Sequence, residues 1–211
     1  MSICHIIGAG DISPKDIEQL KNISPGDFIL AADGGLSPLL ANNIRPQAVI
    51  GDFDSFSGTL TQVPQDTQII RLAPEKDYTD LHTCVNYGRE KGFNKFYLYG
   101  ATGGRIDHTF ANIQLMHMLS EEGCQVTMFG NDNIFQVISN GHIEFPAGNS
   151  GIVSVFSLSE RSFGVTISGL KYELWDATLN NTFALGVSNE FTGAPAHITV
   201  RRGTLLIISP R

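Results

Sequence analysis

Along the first 130 positions, apolar residues fall into short runs separated by helix-length stretches. The runs at 4–7, 28–32, 48–50, 68–72, 95–99 and 125–129 are rich in Ile, Leu, Val and aromatic residues and are followed by loops containing Gly or Asp. Such runs predict buried strands. Between them, 14–22, 34–42, 78–91 and 107–122 predict helices. In the last of these, Phe110, Ile113, Met116 and Leu119 recur at every third position and predict one buried stripe. Strands alternating with helices predict a mainly parallel sheet with helices on its faces. After Asn131-Asp132-Asn133 the helical period stops. Short runs at 134–138, 152–158, 164–167, 172–174, 184–187, 197–200 and 205–208, broken by Gly, Asn and Pro, predict a compact all-β sandwich or barrel. The expected organisation is an α/β domain over 1–132 followed by an all-β domain over 133–211. No internal repeat, low-complexity tract or long linker interrupts it.

The charge is divided the same way. Of the formal net charge of −7, all the excess acid lies in residues 1–132, with 16 Asp+Glu against 9 Lys+Arg; residues 133–211 hold 5 of each. An acidic first part argues against nucleic acid as a partner, since binding a phosphate backbone needs a basic face. Cys4, Cys84 and Cys124 are odd in number and embedded in apolar segments, which fits buried thiols better than disulfides. The N-terminus lacks a basic start and a small-residue cleavage site, and no apolar stretch approaches the ~20 residues of a membrane span. The expectation is a cytoplasmic protein with no membrane partner.

The acid is concentrated in four loops, each at or shortly beyond the end of a predicted strand. They are Asp33-Gly34-Gly35, Gly51-Asp52-Phe53-Asp54-Ser55, Lys76-Asp77-Tyr78-Thr79-Asp80 and Gly103-Gly104-Arg105-Ile106-Asp107-His108. In open α/β sheets ligands bind outside the carboxyl ends of the strands, so the loops should converge. Six carboxylates gathered there would repel one another unless cations joined them. The inference is a magnesium-dependent site for a polyphosphate.

Each loop also has a plainer reading. Asp52 and Asp54 stand two apart and project to one side if the strand continues, where magnesium could bridge them; a solvated turn would look the same. Asp77 and Asp80 share a face if both are helical, yet Asp77 as a helix cap with Thr79 or Asp80 in the first turn is ordinary helix-start chemistry. Lys76 is either a phosphate ligand or a surface lysine. Gly34-Gly35 and Gly103-Gly104 offer close backbone approach and exposed amides to phosphate, with Arg105 adding a fork-like contact; simple tight turns are the alternative. Asp107 is a metal ligand or a partner of the helix dipole, and His108 fits a helix start. No G-x-x-x-x-G-K-[ST] occurs, and Gly8-Ala9-Gly10 lacks the third glycine of a dinucleotide fingerprint.

Taken in order, these loops resemble those of thiamin pyrophosphokinases. The resemblance continues through Gly169-Leu170-Lys171-Tyr172-x-Leu174 and Gly186-Val187-Ser188-Asn189-Glu190, and so spans nearly the whole chain. It implies an N-terminal Rossmann-like domain, a C-terminal β-sandwich and a homodimer with active sites between subunits. It also implies transfer of a pyrophosphoryl group from ATP to the hydroxyl of thiamin, releasing AMP. By motif position, Asp52, Asp54, Asp80 and Asp107 would form the magnesium and catalytic cluster. Arg105 joins them in catalysis, and Asp33, Gly34, Gly35, Ser55, Lys76, Asp77, Thr79, Gly103, Gly104 and His108 lie around the nucleotide. Asp80 or Asp54 would accept the alcohol proton. Ser188 and Asn189 would line the thiamin pocket. The C-terminal run Thr204-Leu205-Leu206-Ile207-Ile208-Ser209 lacks the aromatic that packs on thiamin in eukaryotic members, and Trp175 is the substitute candidate. The rival readings are a pyrophosphokinase acting on a pterin alcohol, a D-x-D metal hydrolase and a nucleotide-binding regulator without turnover.

Overall fold

Four short strands, β1 (Cys4–Ile7), β2 (Phe28–Ala32), β3 (Ala48–Gly51) and β5 (Lys95–Tyr99), carry most of the first core, and β1 and β3 are buried at every residue. Predominantly apolar runs of this kind suit parallel strands covered on both faces. The computed structural model describes residues 2–53, 62–73, 75 and 77–211; Asp54, Ser55 and Lys76 lie outside the described residues. The chain divides into two units, the first Met1–Leu115 with Met128–Asn131, the second Met116–Thr127 with Asp132–Arg211.

In the first unit α1 (Pro14–Lys21) follows β1, and a single 3₁₀ turn (Asp33–Gly35) with α2 (Leu36–Ala41) follows β2. Strand β4 (Gln68–Arg71), α3 (Asp80–Glu90), β5, α4 (Ile106–Glu121) and β6 (Gln125–Phe129) complete the series, the cut between the units passing through α4 and β6. The strands run β6-β5-β1-β2-β3-β4 across the sheet. Pairs β5/β1, β1/β2, β2/β3 and β3/β4 are all parallel, with Ile6 opposite both Leu30 and Leu98. The chain builds outward from β1 to β4 and then returns to the other side of β1 with β5. The boundary between β1 and β5 is therefore a topological switch point, where loops diverge and leave a crevice.

The stripe expected on α4 is rotated from its forecast position. Met116 and Leu119 are fully buried, whereas Phe110 is 62% exposed. Spacing by threes turns backward by about 60° at each step of a helix, so Phe110 and Leu119 face opposite ways. The buried positions are Asn112, Leu115, Met116, Leu119 and Ser120, an i, i+3, i+4, i+7, i+8 set.

The second unit contains β7 (Asn133–Ser139), β8 (His142–Phe145), β9 (Ile152–Ser157), β10 (Arg161–Ser168), β11 (Leu174–Asn180), β12 (Gly186–Glu190), β13 (Ala196–Thr199) and β14 (Thr204–Pro210). Strands β12-β9-β14-β7 form one antiparallel array and β11-β10-β13-β8 another. Alternate residues of both arrays, including Val153, Val155, Val165, Ile167, Ile198, Leu205 and Ile207, meet in one core. The whole is thus a mixed α/β protein with a large sheet and an antiparallel, sandwich-like region. Strand β8 escapes the sequence pattern because only Ile143 and Phe145 are apolar in it, and β11 begins two residues after Tyr172. Among the described residues no helix is long and apolar enough to cross a membrane.

Candidate active site

Asp33 leaves the end of β2 with φ of 45° and is buried to 5% exposure. Aspartate tolerates this left-handed backbone better than most residues. On the neighbouring strand, Gly51 precedes Asp52. A Cβ on Gly51 would stand 2.8 Å from the Asp33 Cβ and 3.2 Å from its Oδ1, so glycine lets the two strand ends close on each other. Asp80 is the first residue of α3, whose cap is Thr79: its hydroxyl accepts from the His82 N–H at 3.2 Å. Together these devices bring carboxylate oxygens of Asp33, Asp52 and Asp80 within 4.8 Å of one another.

Beside them, the loops after β1 and β5 run in contact. The Gly8 N–H donates to the Tyr99 carbonyl and the Gly10 N–H to the Gly100 carbonyl, both at 2.8 Å. A Cβ on Gly8 would lie 2.6 Å from the Gly100 oxygen, and one on Gly10 2.5 Å from the Thr102 oxygen. Asn112, buried on α4, donates from Nδ2 to the Ala101 carbonyl at 2.8 Å and ties the loop to the helix. Gly103 and Gly104 continue it with φ of 89° and 50°. These loops, the three carboxylates, Thr79, Arg105 and His108 enclose a cavity of about 660 Å³ in the first unit. Its lining combines three carboxylates, several glycines and Arg105, a combination that suits a metal-bound polyphosphate.

Not every residue singled out in the sequence lies where its pattern suggests. Asp33, expected near phosphate, belongs with Asp52 and Asp80. Asp107 is not one of the three: Arg105 donates to it through Nη2 at 2.6 Å and Nε at 3.3 Å, and this hydrogen-bonded guanidinium holds the exposed carboxyl below its usual range. Asp77 is exposed and precedes α3, so it shares no helix face with Asp80, and the cap is Thr79. A Cβ on Gly35 would overlap the Ile7 carbonyl, which makes Gly35 a packing glycine, while Gly34 is half-buried. Gly8, Gly10 and Asn112 were not anticipated. Their signals were a Gly-x-Gly directly after β1 and a polar residue on the buried stripe of α4.

In the second unit, Ser188 is exposed with φ of 57°, and its N–H donates to Ser154 Oγ at 3.1 Å. Asn189 is buried and bonded to backbone, and Trp175 on β11 is 68% exposed.

Residues 20–128 match the family model of the thiamin pyrophosphokinase catalytic domain, and residues 142–205 match that of the thiamin pyrophosphokinase vitamin B1 binding domain. The chain belongs to the thiamin pyrophosphokinase family. It is 28% identical over 187 residues to the thiamine pyrophosphokinase of Bacillus subtilis (strain 168), covering 85% of each chain. The crystal structure of thiamine pyrophosphokinase from Bacillus subtilis superposes with a TM-score of 0.85 at 25% identity, over 100% of this chain and 99% of that one. That of thiamin pyrophosphokinase from Geobacillus thermodenitrificans gives 0.84 at 27%, over 99% and 97%. As a member of this family the protein is an enzyme, a transferase. The family's reaction carries a pyrophosphoryl group from ATP to thiamin. Asp33, Asp52, Asp80 and Arg105 all fall in the catalytic-domain match, and Trp175, Ser188 and Asn189 in the vitamin B1 one.

Proposed function

We propose that this protein makes thiamin diphosphate and AMP from thiamin and ATP, with the triphosphate held in the first-unit cavity and the acceptor bound by the second unit. The observation that carries the reading is the convergence of Asp33, Asp52 and Asp80 beside the glycine loops. Three carboxylates so close repel one another in the absence of a cation. Their separation suits magnesium, whose oxygen ligands at ~2.1 Å stand about 3–4 Å apart. These three would hold the ion; Asp54, expected as a further ligand, lies outside the described residues. When bound, magnesium neutralises charge on the phosphate oxygens.

The chain's own groups supply alignment and proton transfer. Arg105 and the amides of Gly103 and Gly104 hold phosphate oxygens, and the hydroxyl of Thr79 and the ring of His108 border the same space. Gly34 and Asp77 would stand near the nucleotide, and Ser55 and Lys76, expected with them, lie outside the described residues. The hydroxyethyl oxygen of thiamin attacks the β-phosphorus; its bond to that phosphorus forms as the Pα–O–Pβ bridge breaks, and AMP leaves with the electron pair. Asp80 or Asp54 takes the hydroxyl proton, whose loss can trail bond cleavage in a loose transition state. Asp107 enters this set through Arg105. Thiamin meets Ser188 and Trp175 in the second unit. The protein works as a cytoplasmic homodimer with active sites between subunits, a reading supported by family membership.

The test is a coupled assay for AMP with the full chain, MgATP and either thiamin or hydroxymethylpterin. AMP release that requires both thiamin and magnesium is expected. Turnover with the pterin alone, or phosphate release without an acceptor, would overturn the proposal.

A further inference from the structure

Helix α4 buries Asn112 in a stripe otherwise made of Leu115, Met116 and Leu119, with Ser120 at its far end. A polar side chain in such a stripe costs stability unless its donors and acceptors are used. At 6% exposure, Asn112 donates from Nδ2 to the Ala101 carbonyl at 2.8 Å. That bond accounts for one end of the amide. It also fixes which way the amide points, because the reversed side chain would set two oxygens against each other.

The other end is unused. Among the described residues no group donates to Asn112 Oδ1, and this oxygen is not sealed inside the core. The open space that Asn112 borders is the first-unit cavity. Tying the loop after β5 to the helix needs a donor alone and leaves the acceptor over. A nearly buried amide oxygen turned to a cavity can recognise a ligand: it meets an N–H or O–H and disfavours a ligand atom that is itself an acceptor.

Its place along the helix narrows what it can meet. His108 and Asn112 are four residues apart on α4 and both border the cavity, so they share one face of the helix. Arg105, Gly103 and Gly104, the groups assigned to phosphate, come just before the helix, whereas Asn112 stands six residues, about 9 Å, beyond its first residue, Ile106. Phosphate oxygens are acceptors and offer Oδ1 nothing. The carboxylates of Asp33, Asp52 and Asp80 on the same wall are acceptors too. What remains of the nucleotide is its nucleoside, whose donors are the 6-amino group of adenine and the ribose hydroxyls.

We infer that Asn112 sets nucleotide specificity, its Oδ1 accepting a hydrogen bond from the nucleoside of the bound nucleotide, either from the adenine 6-amino group or from a ribose hydroxyl. This rests on the reading of the first-unit cavity as the triphosphate site and adds to it a group that tells one nucleotide from another. The tie to Ala101 holds the amide in advance, so the new bond forms without freezing a side chain.

Calorimetric titration of the full chain with magnesium and, in turn, ATP, inosine triphosphate, 2′-deoxy-ATP and 3′-deoxy-ATP tests it. Inosine triphosphate carries a carbonyl where ATP carries the 6-amino group, and each deoxy nucleotide lacks one hydroxyl. The wild type should bind at least one of these analogues about tenfold more weakly than ATP, the scale of a buried acceptor left without its donor. Weak binding of inosine triphosphate marks the base as the partner, and weak binding of a deoxy nucleotide marks the ribose. Asn112→Ala should weaken ATP by a similar factor and bring that analogue to within about twofold of ATP. Equal binding of all the nucleotides by the wild type overturns the inference. So does a folded Asn112→Ala that weakens every nucleotide alike and keeps the preference, since that is the effect of the Ala101 tie alone. Should Asn112→Ala not fold, Asn112→Ser, too short to reach both partners, takes its place, and the wild-type series can overturn the inference without either variant. Failure of the functional reading would be seen separately, as wild-type protein that binds no MgATP.

Discussion

Gly51 and Asp33 lie at the ends of adjacent parallel strands, and a methyl group at Gly51 would press to 2.8 Å from the Asp33 Cβ. The glycine before Asp52 is therefore part of the carboxylate cluster without carrying a charge. Gly51→Ala should push Asp33 away from Asp52 and lower kcat/KM by about 10–100-fold, the range seen when residues behind metal ligands are changed. Thermal unfolding measured beside AMP release should show a much smaller loss of stability.

Asp33→Asn, Asp52→Asn and Asp80→Asn each remove one charge from the group of three. Turnover should fall on the order of 10²–10³-fold, with a higher magnesium requirement in whatever activity remains. Magnesium titrations of the variants check this. Retention of the wild-type magnesium midpoint in all three would remove the proposed cation site.

Asp107→Asn separates the role of Arg105's partner from that of a cation ligand. The pair is exposed and screened by solvent, so it contributes little by itself. The KM for ATP should change by no more than about fivefold and the magnesium midpoint should stay in place. A magnesium midpoint shifted as far as in Asp80→Asn would instead put Asp107 among the ligands.

Asn112→Leu tests the tie between α4 and the loop after β5. It leaves the Ala101 carbonyl without its 2.8 Å donor in a buried place, at a cost of about 1–3 kcal/mol. A lower melting temperature together with a raised KM for ATP is expected, because the same loop leads into Gly103 and Arg105.

His5 gives the fold a pH dependence. The imidazole is buried on β1, with Nδ1 3.2 Å from the Tyr99 hydroxyl and Nε2 3.4 Å from Asp27. Burial drives it below its ordinary 6.5, and the hydrogen bond and charge of Asp27 offset only part of that. The unfolded chain therefore binds more protons at this site, and the stabilisation is present above about pH 6.5 and lost as pH falls below it. At Asp27 burial acts upward, but the Ile3 and Ser24 amides and His5 outweigh it and lower the carboxyl, so its own loss comes only in the acid range. Urea unfolding at pH 7.5 and 5.5 should show the wild type losing more stability than His5→Gln.

Much of this protein was legible in order along the chain. Strands β1, β2 and β5 are predominantly apolar runs, and a largely buried parallel strand has no solvated face to blur its signal. Helix α4 was legible as a helix but not in its orientation, because a spacing of three fits a helical period without matching it. Tyr172 read as strand because it opens a short run, 172–174, of the kind that predicts strands, yet Asn189, 17 residues away, holds it as a loop.

The sequence by itself determined the α/β-then-β order, the acidic character of the first part and the loops that carry the carboxylates, since these follow from local periodicity and from which residue follows each strand. Tertiary structure alone decided that Asp33 joins Asp52 and Asp80, that Asp107 pairs with Arg105, and that Asn189 holds the Tyr172 backbone. Those partnerships depend on the spacing of parallel strands and on the absence of a Cβ at Gly51, and a linear pattern carries no information about distance between positions so far apart in the chain.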